Sequence, residues 1–440
     1  MSETEPGGAH SVDGRPGSGL DLKHRLTRMA GRDPHEDGRA ATNLELFFDL
    51  TFVVAFSFAG VEVAHFVAEG HFETAVLGFI FCTFAAIWAW INFSWFASAF
   101  DTDDWVYRLT TMVQMVGVLI LALGIAPVFE SLDHHGGVVD NRVLVLGYVV
   151  MRLAMVVQWV RAASSSPDYR RTCLIYAGGI TIVQIAWVAV IFLDTTLYQT
   201  LIVVGLLVLS EMAVPAIAET FGREGTTPWH AHHIAERYGL LAIITLGEGI
   251  VGTAAALQAV VHSQGWTVET AVLGLAGVGI TFGMWWIYFV VPSGQALHLR
   301  RGRSFTFGYF HIVIFMAIAM MGAGLHVAAL YIEHEATIGE TAAVAAVVIP
   351  VGIYLACIFL LYGFLLGFHR VHVAEVIGMA AILVVAMVCA SAGVSVVICL
   401  LVVASAPALG VIVDELVGAS RRAQALEALE ASVRSGAVGR

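Results

Sequence analysis

Lysine is all but missing from this sequence: one Lys, at position 23, stands against 21 Arg in 440 residues. Charge of either sign is scarce, at 13% of residues, where a soluble protein carries roughly a quarter. That scarcity excludes an ordinary soluble enzyme. A net charge of −12 with no basic aromatic patch excludes nucleic acid as a partner. The five cysteines (Cys82, Cys173, Cys357, Cys389 and Cys399) lie in apolar runs and form no CxxC pair. This excludes a disulfide framework and a cysteine-based zinc site. Walker A, GxSxG and HExxH patterns are missing, as is GxGxxG in a strand–helix context, so neither a cofactor nor a metal is expected.

What is present is apolar. Hydrophobic residues make up 58% of the chain and the mean hydropathy is +0.82, which fits an all-α polytopic membrane protein. Residues 1–42 are rich in Gly, Pro, Ser, Asp and Arg and read as a disordered cytoplasmic tail. They lack the apolar core of a signal peptide, leaving the first span to direct insertion. Apolar runs near 44–66, 73–97, 107–129, 142–162, 172–193 and 197–219 form a first half, 43–220. A linker at 221–233 follows, and a second half, 234–417, holds runs near 234–259, 267–291, 307–331, 341–366, 372–392 and 394–416. Residues 418–440 read as a C-terminal tail. The last two runs are too long for one crossing and imply a tight hairpin near Ser391–Gly393. These are about 12 transmembrane helices.

With both termini in the cytoplasm, 20 of the 22 Lys and Arg fall on the cytoplasmic side, as the positive-inside rule requires. Arg142 lies in an outer loop and Arg152 within a span. The halves also resemble each other weakly. Glu45–Phe48 stands against Glu236–Gly239, and Trp88–Ile91 against Met284–Ile287. Two parallel six-helix repeats related by an axis along the membrane normal are one reading. Shared apolar composition is the other.

Charge inside such a bundle must face protein or trapped water. Glu45 and Asp49 sit four apart at the start of the first span, on one helix face, and can share a proton or hold a cation. An interfacial turn that complements the helix dipole is the plainer reading of Glu45; Asp49 lies deeper. Asp101, Asp103 and Asp104, followed by Arg108, form either a cation-binding loop or a solvated turn with Asp104 paired to Arg108.

Arg152 lies about ten residues into its span. A central Arg is unfavourable by roughly 2.5–3.5 kcal/mol even on the lower scales, so it needs an acid, and Glu211 and Glu248 are at compatible depths. The stretch His233–Glu248 places Arg237 and Glu248 on nearly one face, about 16 Å apart along the axis. Its first turns, with His233, Glu236 and Arg237, read as an interfacial anchor. Glu248, between Gly247 and Gly249, is the residue left needing an explanation.

The other notable side chains read more plainly. His230, His232 and His233 cluster, as do His134, His135 and Asp133, without forming a metal motif. His311 and His326 are candidates for proton relay. The tryptophan pairs Trp88/Trp90 and Trp285/Trp286 read as parts of an aromatic belt.

Three segments together resemble a known family: Glu45–Leu50 (ELFFDL), Phe100–Asp104 (FDTDD) with Arg108, and His233–Glu248 (HIAERYGLLAIITLGE). Trp285–Phe289 (WWIYF) and the Tyr148/Arg152 span fit as well. The sequence is similar to the bacterial low temperature requirement protein A (LtrA) family over roughly residues 42–416. The resemblance implies a polytopic bacterial membrane protein, associated by name with growth in the cold. It supplies positions rather than a reaction. The family commonly has an acid just after the WWxYF segment, where this chain has Val290 and Val291, so no role for that acid carries over.

The leading expectation is a secondary transporter or ion-conducting protein, multi-pass in the bacterial inner membrane. Asp49 and Glu248 would exchange protons or cations, and Arg152 would be the buried counter-charge. Its partners would be the lipid bilayer, a small solute or ion and, as an open point, further copies of itself. Two alternatives stand beside it. An intramembrane enzyme acting on a lipid or isoprenoid would rely on Glu45 and the Asp101–Asp104 loop. A membrane scaffold or sensor would use the charged pairs only to fix helix register.

Overall fold

Capping chemistry sets where the helices begin. Thr42 opens α1 (Asn43–Ala68) with a reciprocal box in which its hydroxyl accepts from the Glu45 N–H and the Glu45 carboxylate accepts from the Thr42 N–H. After a three-residue turn comes α2 (Phe72–Phe100). Asp104 caps α3 (Trp105–Leu123) by accepting from the Tyr107 N–H. Gly124 then breaks the helix, and a short α4 (Ile125–Asp133) completes that crossing. The break lies against α5 (Arg142–Ser165), where a Cβ on Gly124 would fall 2.2 Å from the Leu144 nitrogen.

Next come α6 (Arg170–Val190), α7 (Leu197–Phe221, opened by a Thr196 capping box), α8 (Ala231–Gln264) and α9 (Val268–Val290). The short α10 (Ser293–Leu299) leads to α11 (Ser304–Ile332), α12 (Glu340–Leu366), α13 (Arg370–Ser391) and α14 (Val396–Val413). A π-helical turn, Asp414–Gly418, joins α14 to α15 (Ala419–Arg434).

The computed structural model describes residues 26–134, 139–193, 196–222, 227–368 and 370–435. Arg223, His135 and residues 1–25 and 436–440, which the sequence reading drew on, lie outside the described residues. The described residues are 85% helical, with no strand among them. Among the described residues, twelve helical segments are long and apolar enough to cross a membrane, so this is an all-α, multi-pass membrane protein. The hairpin expected near Ser391–Gly393 is present, with Gly393 at φ +79°. The expected C-terminal tail is largely the helix α15, which packs on α10 and α12.

Large apolar side chains such as Ile182, Ile185, Val388 and Leu209 point outward, while Trp88, Trp90, Arg152 and Arg237 are fully buried. Helices that are apolar outside and carry their charge inside suit lipid, not water. Small residues bring them close. A Cβ on Gly322 of α11 would sit 2.7 Å from the Glu248 carbonyl carbon of α8, and one on Gly147 of α5 2.2 Å from the Leu121 nitrogen of α3.

The tail expected to be disordered through residue 42 is ordered from residue 26 on. It runs as a strap over the helix ends. Thr27 binds the Asp104 carboxylate, and the Met29 carbonyl accepts from the Ser166 hydroxyl. The Arg32 N–H reaches the Ala99 carbonyl, and the Ala41 N–H reaches Glu236. Polar composition hid this order because the strap is held by ion pairs and backbone hydrogen bonds to loops, with only Met29 fully buried among apolar neighbours.

Candidate functional site

Two carboxylates four apart on α1 meet a histidine and an arginine four apart on α8. One turn of helix separates each pair, so both pairs present to the same seam. Arg237 Nη1 donates to Glu45 Oε1 at 2.8 Å, Nη2 to Asp49 Oδ1 at 2.5 Å, and Nε to Asp49 Oδ2 at 3.2 Å. His233 Nε2 lies 3.2 Å from Glu45 Oε1. The Trp90 indole N–H donates to Asp49 Oδ1 at 2.6 Å. All four charged or titratable side chains are 0% exposed. The Arg237 guanidinium also lies over the Trp90 and Phe93 rings, at 5.7 and 5.9 Å. His233 Nδ1 is buried without a partner.

This arrangement corrects two expectations. Arg237 is the centre of a buried cluster of four ionisable side chains and not an exposed anchor, because the strap and the neighbouring helix ends cover that end of α8. Glu45 both caps α1 and binds Arg237, so it is far more than an interfacial turn.

A second cluster occupies the first half of the bundle. Arg152 Nη2 of α5 donates to Glu211 Oε2 of α7 at 2.8 Å, both residues being buried. Gln184 Nε2 of α6 donates to Glu211 Oε1 at 2.7 Å and Trp88 Nε1 of α2 to Oε2 at 3.2 Å. Of the two acids proposed for Arg152, Glu211 is its partner. Arg152 Nε and Nη1 remain buried without an acceptor. Trp88 and Trp90 are fully buried donors to these two clusters and not belt residues.

Glu248 stands apart from both. Its Oε1 accepts from the Ser57 hydroxyl of α1 at 2.6 Å, and no cation pairs with it among the described residues. Contacts along the seam advance together, from Glu45–Arg237 to Ser57–Glu248, so α1 and α8 run in the same direction. Asp49 and Ser57 are eight residues, about 12 Å, apart on α1. Thr245 and Leu241, both fully buried, fill the stretch of α8 between its two polar stations.

The acidic loop is pinned by arginines. Arg39 reaches Asp101 at 3.4 Å and Arg32 reaches it at 3.8 Å. Arg108 binds Asp103 at 2.8 Å, while Asp104 takes Arg161 and the Thr27 N–H and hydroxyl. The expected Asp104–Arg108 pair is therefore replaced by Asp103–Arg108 and Asp104–Arg161. Asp103 reaches Arg108 through a left-handed backbone, φ +47°. Burial raises the Asp101 carboxyl to about 6, with the Glu45 charge adding to the rise and Arg39 opposing it. For Asp104 burial also opposes ionisation, yet the Arg161, Tyr107 and Thr27 donors hold its carboxyl well below the usual range.

Glu236 leaves the buried cluster and accepts from the strap at Ala41. His311 is buried between the Tyr288 hydroxyl at 2.9 Å and the Phe307 carbonyl at 2.7 Å, a closed helix contact. Sequence reasoning missed Gln184 and the two indole donors. The matching four-residue spacings, Glu45/Asp49 and His233/Arg237, were the legible signal for the first cluster.

No curated protein and no solved structure matches this chain. The profile of the family described as bacterial low temperature requirement A protein (LtrA) matches residues 40–407. That match spans α1 through most of α14 and takes in both buried clusters, and the chain belongs to the LtrA family.

Proposed function

We propose that this protein is a secondary transporter or ion-conducting protein in which the α1–α8 seam binds and releases protons. The observation that carries the reading is a charge imbalance. Glu45 and Asp49 supply two buried negative charges and Arg237 one permanent positive charge. The site is left with one negative charge unless a proton sits on His233 or a carboxyl, or a cation enters. Buried net charge is costly, so occupancy and protonation are coupled. Glu248, which accepts from Ser57, offers a third carboxylate about 12 Å further along the same seam. The unpartnered Nε and Nη1 of Arg152 are available to an anionic group of a solute.

The placement proposed is the bacterial inner membrane with both termini in the cytoplasm, which the Lys/Arg distribution supports. The common direction of α1 and α8 supports two halves of like orientation. The acids that an intramembrane enzyme would use, Asp101, Asp103 and Asp104, are each bound to arginine, and no observation favours that alternative.

Proteoliposomes with a trapped pH dye test the reading. Under an imposed potential the wild-type protein should acidify or alkalinise the lumen. Asp49→Asn and His233→Gln should each abolish the signal while the proteins stay monodisperse. Equal proton flux in wild type and both variants would overturn it.

A further inference from the structure

A cavity lies among α2, α5, α6, α7 and α11, at the end of the bundle where α7 stops and α8 begins. Trp88, Trp95, Trp159, Tyr176, Trp229 and Tyr309 line it, with a single carboxylate, Glu219. Most of the polar tips are taken by protein partners. The Trp88 N–H goes to Glu211, the Trp95 N–H to the Tyr238 hydroxyl, the Tyr309 hydroxyl to the Met212 carbonyl and the Tyr176 hydroxyl to Glu219. Trp159 Nε1 is buried without a protein partner, and the rest of what these residues leave for the cavity is ring surface.

The wall is also stiff. Trp159 and Tyr176 stack at 4.1 Å with planes 1° apart, and Trp95 meets Trp229 edge-on at 4.9 Å. Gly308, with no side chain, keeps the α11 side open.

Glu219 accepts from the Thr227 N–H at 2.8 Å, the Thr227 hydroxyl at 2.8 Å and the Tyr176 hydroxyl at 2.9 Å. These three donors are neutral, and Glu219 makes no ion pair among the described residues. Arg301 stacks on the Trp229 ring at 3.9 Å and binds the Trp229 carbonyl; its charge acts on Glu219 from a distance, without a salt bridge.

Ring faces around a carboxylate select among ligand classes. An anion would be repelled by Glu219. A hydrated metal ion would find one carboxylate and little other oxygen, too few ligands to replace its water. A neutral aromatic would fill the space and leave the carboxylate without an ion pair, met only by the more distant Arg301 charge. An alkylated ammonium satisfies both features, because its weakly hydrated charge is attracted to ring faces and neutralised by the acid. Asn92 and Ser304, also in the wall, suit a hydroxyl or ester on the same molecule.

We propose that this cavity is a binding site for an organic ammonium group, carried by a small solute or by an amine-bearing lipid headgroup. None of the residues of the proton seam lines it, so the two readings stand or fall separately.

Choline and its neutral isostere 3,3-dimethylbutan-1-ol are the probes, titrated against the intrinsic tryptophan fluorescence of the purified full chain. Choline should give a saturable change at a concentration at least about tenfold below that needed for the isostere. Glu219→Gln, which keeps the side-chain shape and one acceptor oxygen but removes the charge, should bring choline down to the level of the isostere. Tyr309→Leu, which removes a ring and leaves the charge, should weaken choline by about five- to tenfold. Equal binding of the two probes to the wild type, or no saturation by choline, overturns the proposal without recourse to any variant. Repeating the titration in nanodiscs assigns the source. Competition in phosphatidylcholine but not phosphatidylglycerol discs supports a headgroup, and saturable choline binding in both supports a free solute.

Discussion

Trp88 and Trp90 stand two residues apart on α2, about 200° around the helix from each other, and each donates its indole N–H to a different buried acid. Trp88 reaches Glu211 at 3.2 Å and Trp90 reaches Asp49 at 2.6 Å. One helix thus braces both charge clusters. Replacing either indole by Phe keeps much of the ring and removes the donor. Losing a hydrogen bond to a buried carboxylate costs about 1–3 kcal/mol. Trp90→Phe should cost more, because its bond is shorter and Asp49 has only Arg237 besides. Glu211 keeps both Arg152 and Gln184. Thermal unfolding of the two purified variants checks the order, and an equal or reversed drop in midpoint would contradict it.

Arg237 is the permanent cation facing Glu45 and Asp49, so its removal should be the most damaging change at the seam. Arg237→Met leaves two carboxylates buried without their counter-charge, a loss of about 3–5 kcal/mol. Adding Glu45→Gln and Asp49→Asn to the same chain removes the stranded charges and should recover part of it. The yield of monodisperse protein and its unfolding midpoint report this. A triple variant less stable than Arg237→Met alone would show that the cluster is not organised by charge.

Much of the fold was legible because a bilayer imposes a length on every crossing helix, and length is a one-dimensional signal. The twelve spans and the turn at Gly393 follow from it. Partner choice is not one-dimensional. Glu211 and Glu248 lie at similar depth, and only the packing of α5 against α6 and of α6 against α7 decides that Arg152 meets Glu211.

Depth itself was misjudged at Arg237. It is the seventh residue of α8, and counting from the helix start treated that start as the interface. The strap and the neighbouring helix ends cover it, so Arg237 is fully buried although it lies near the start of its helix. Trp88 and Trp90 were read by residue type, whereas their place more than halfway along a 29-residue helix already argued for burial.

The pinning of the strap to Asp101 gives a pH signature. Burial raises this carboxyl from its ordinary value near 4 to about 6. The folded protein therefore holds a proton that the unfolded chain has released between those limits. The stability contributed by this group is full below about pH 4 and lost as the pH rises through about 6, a change on the order of 3 kcal/mol. Asp101→Asn cannot titrate there. The unfolding midpoint of wild type relative to Asp101→Asn should fall between pH 4 and 6.5 and level off above. A difference that rises or stays flat across that window would contradict the raised carboxyl.

A charge swap is the usual test of a buried ion pair, and here the surrounding donors make it fail. In Arg152→Glu/Glu211→Arg the two charges still attract. The new guanidinium at position 211, however, meets the amide of Gln184 and the indole N–H of Trp88, groups now oriented to donate to a carboxylate. The Trp88 N–H is then left without an acceptor, and Gln184 must turn its amide over to present Oε1; an unsatisfied buried group costs about 1–3 kcal/mol. The swap should therefore be no more stable than Arg152→Met alone. The neutral pair Arg152→Met/Glu211→Gln should do better than both, because the amide oxygen at 211 can still accept from Trp88 or Gln184 and no net charge is buried. Unfolding midpoints of the three variants at one pH decide it. A swap that matched the wild type would mean that Glu211 is placed by its charge alone and that Gln184 and Trp88 are bystanders.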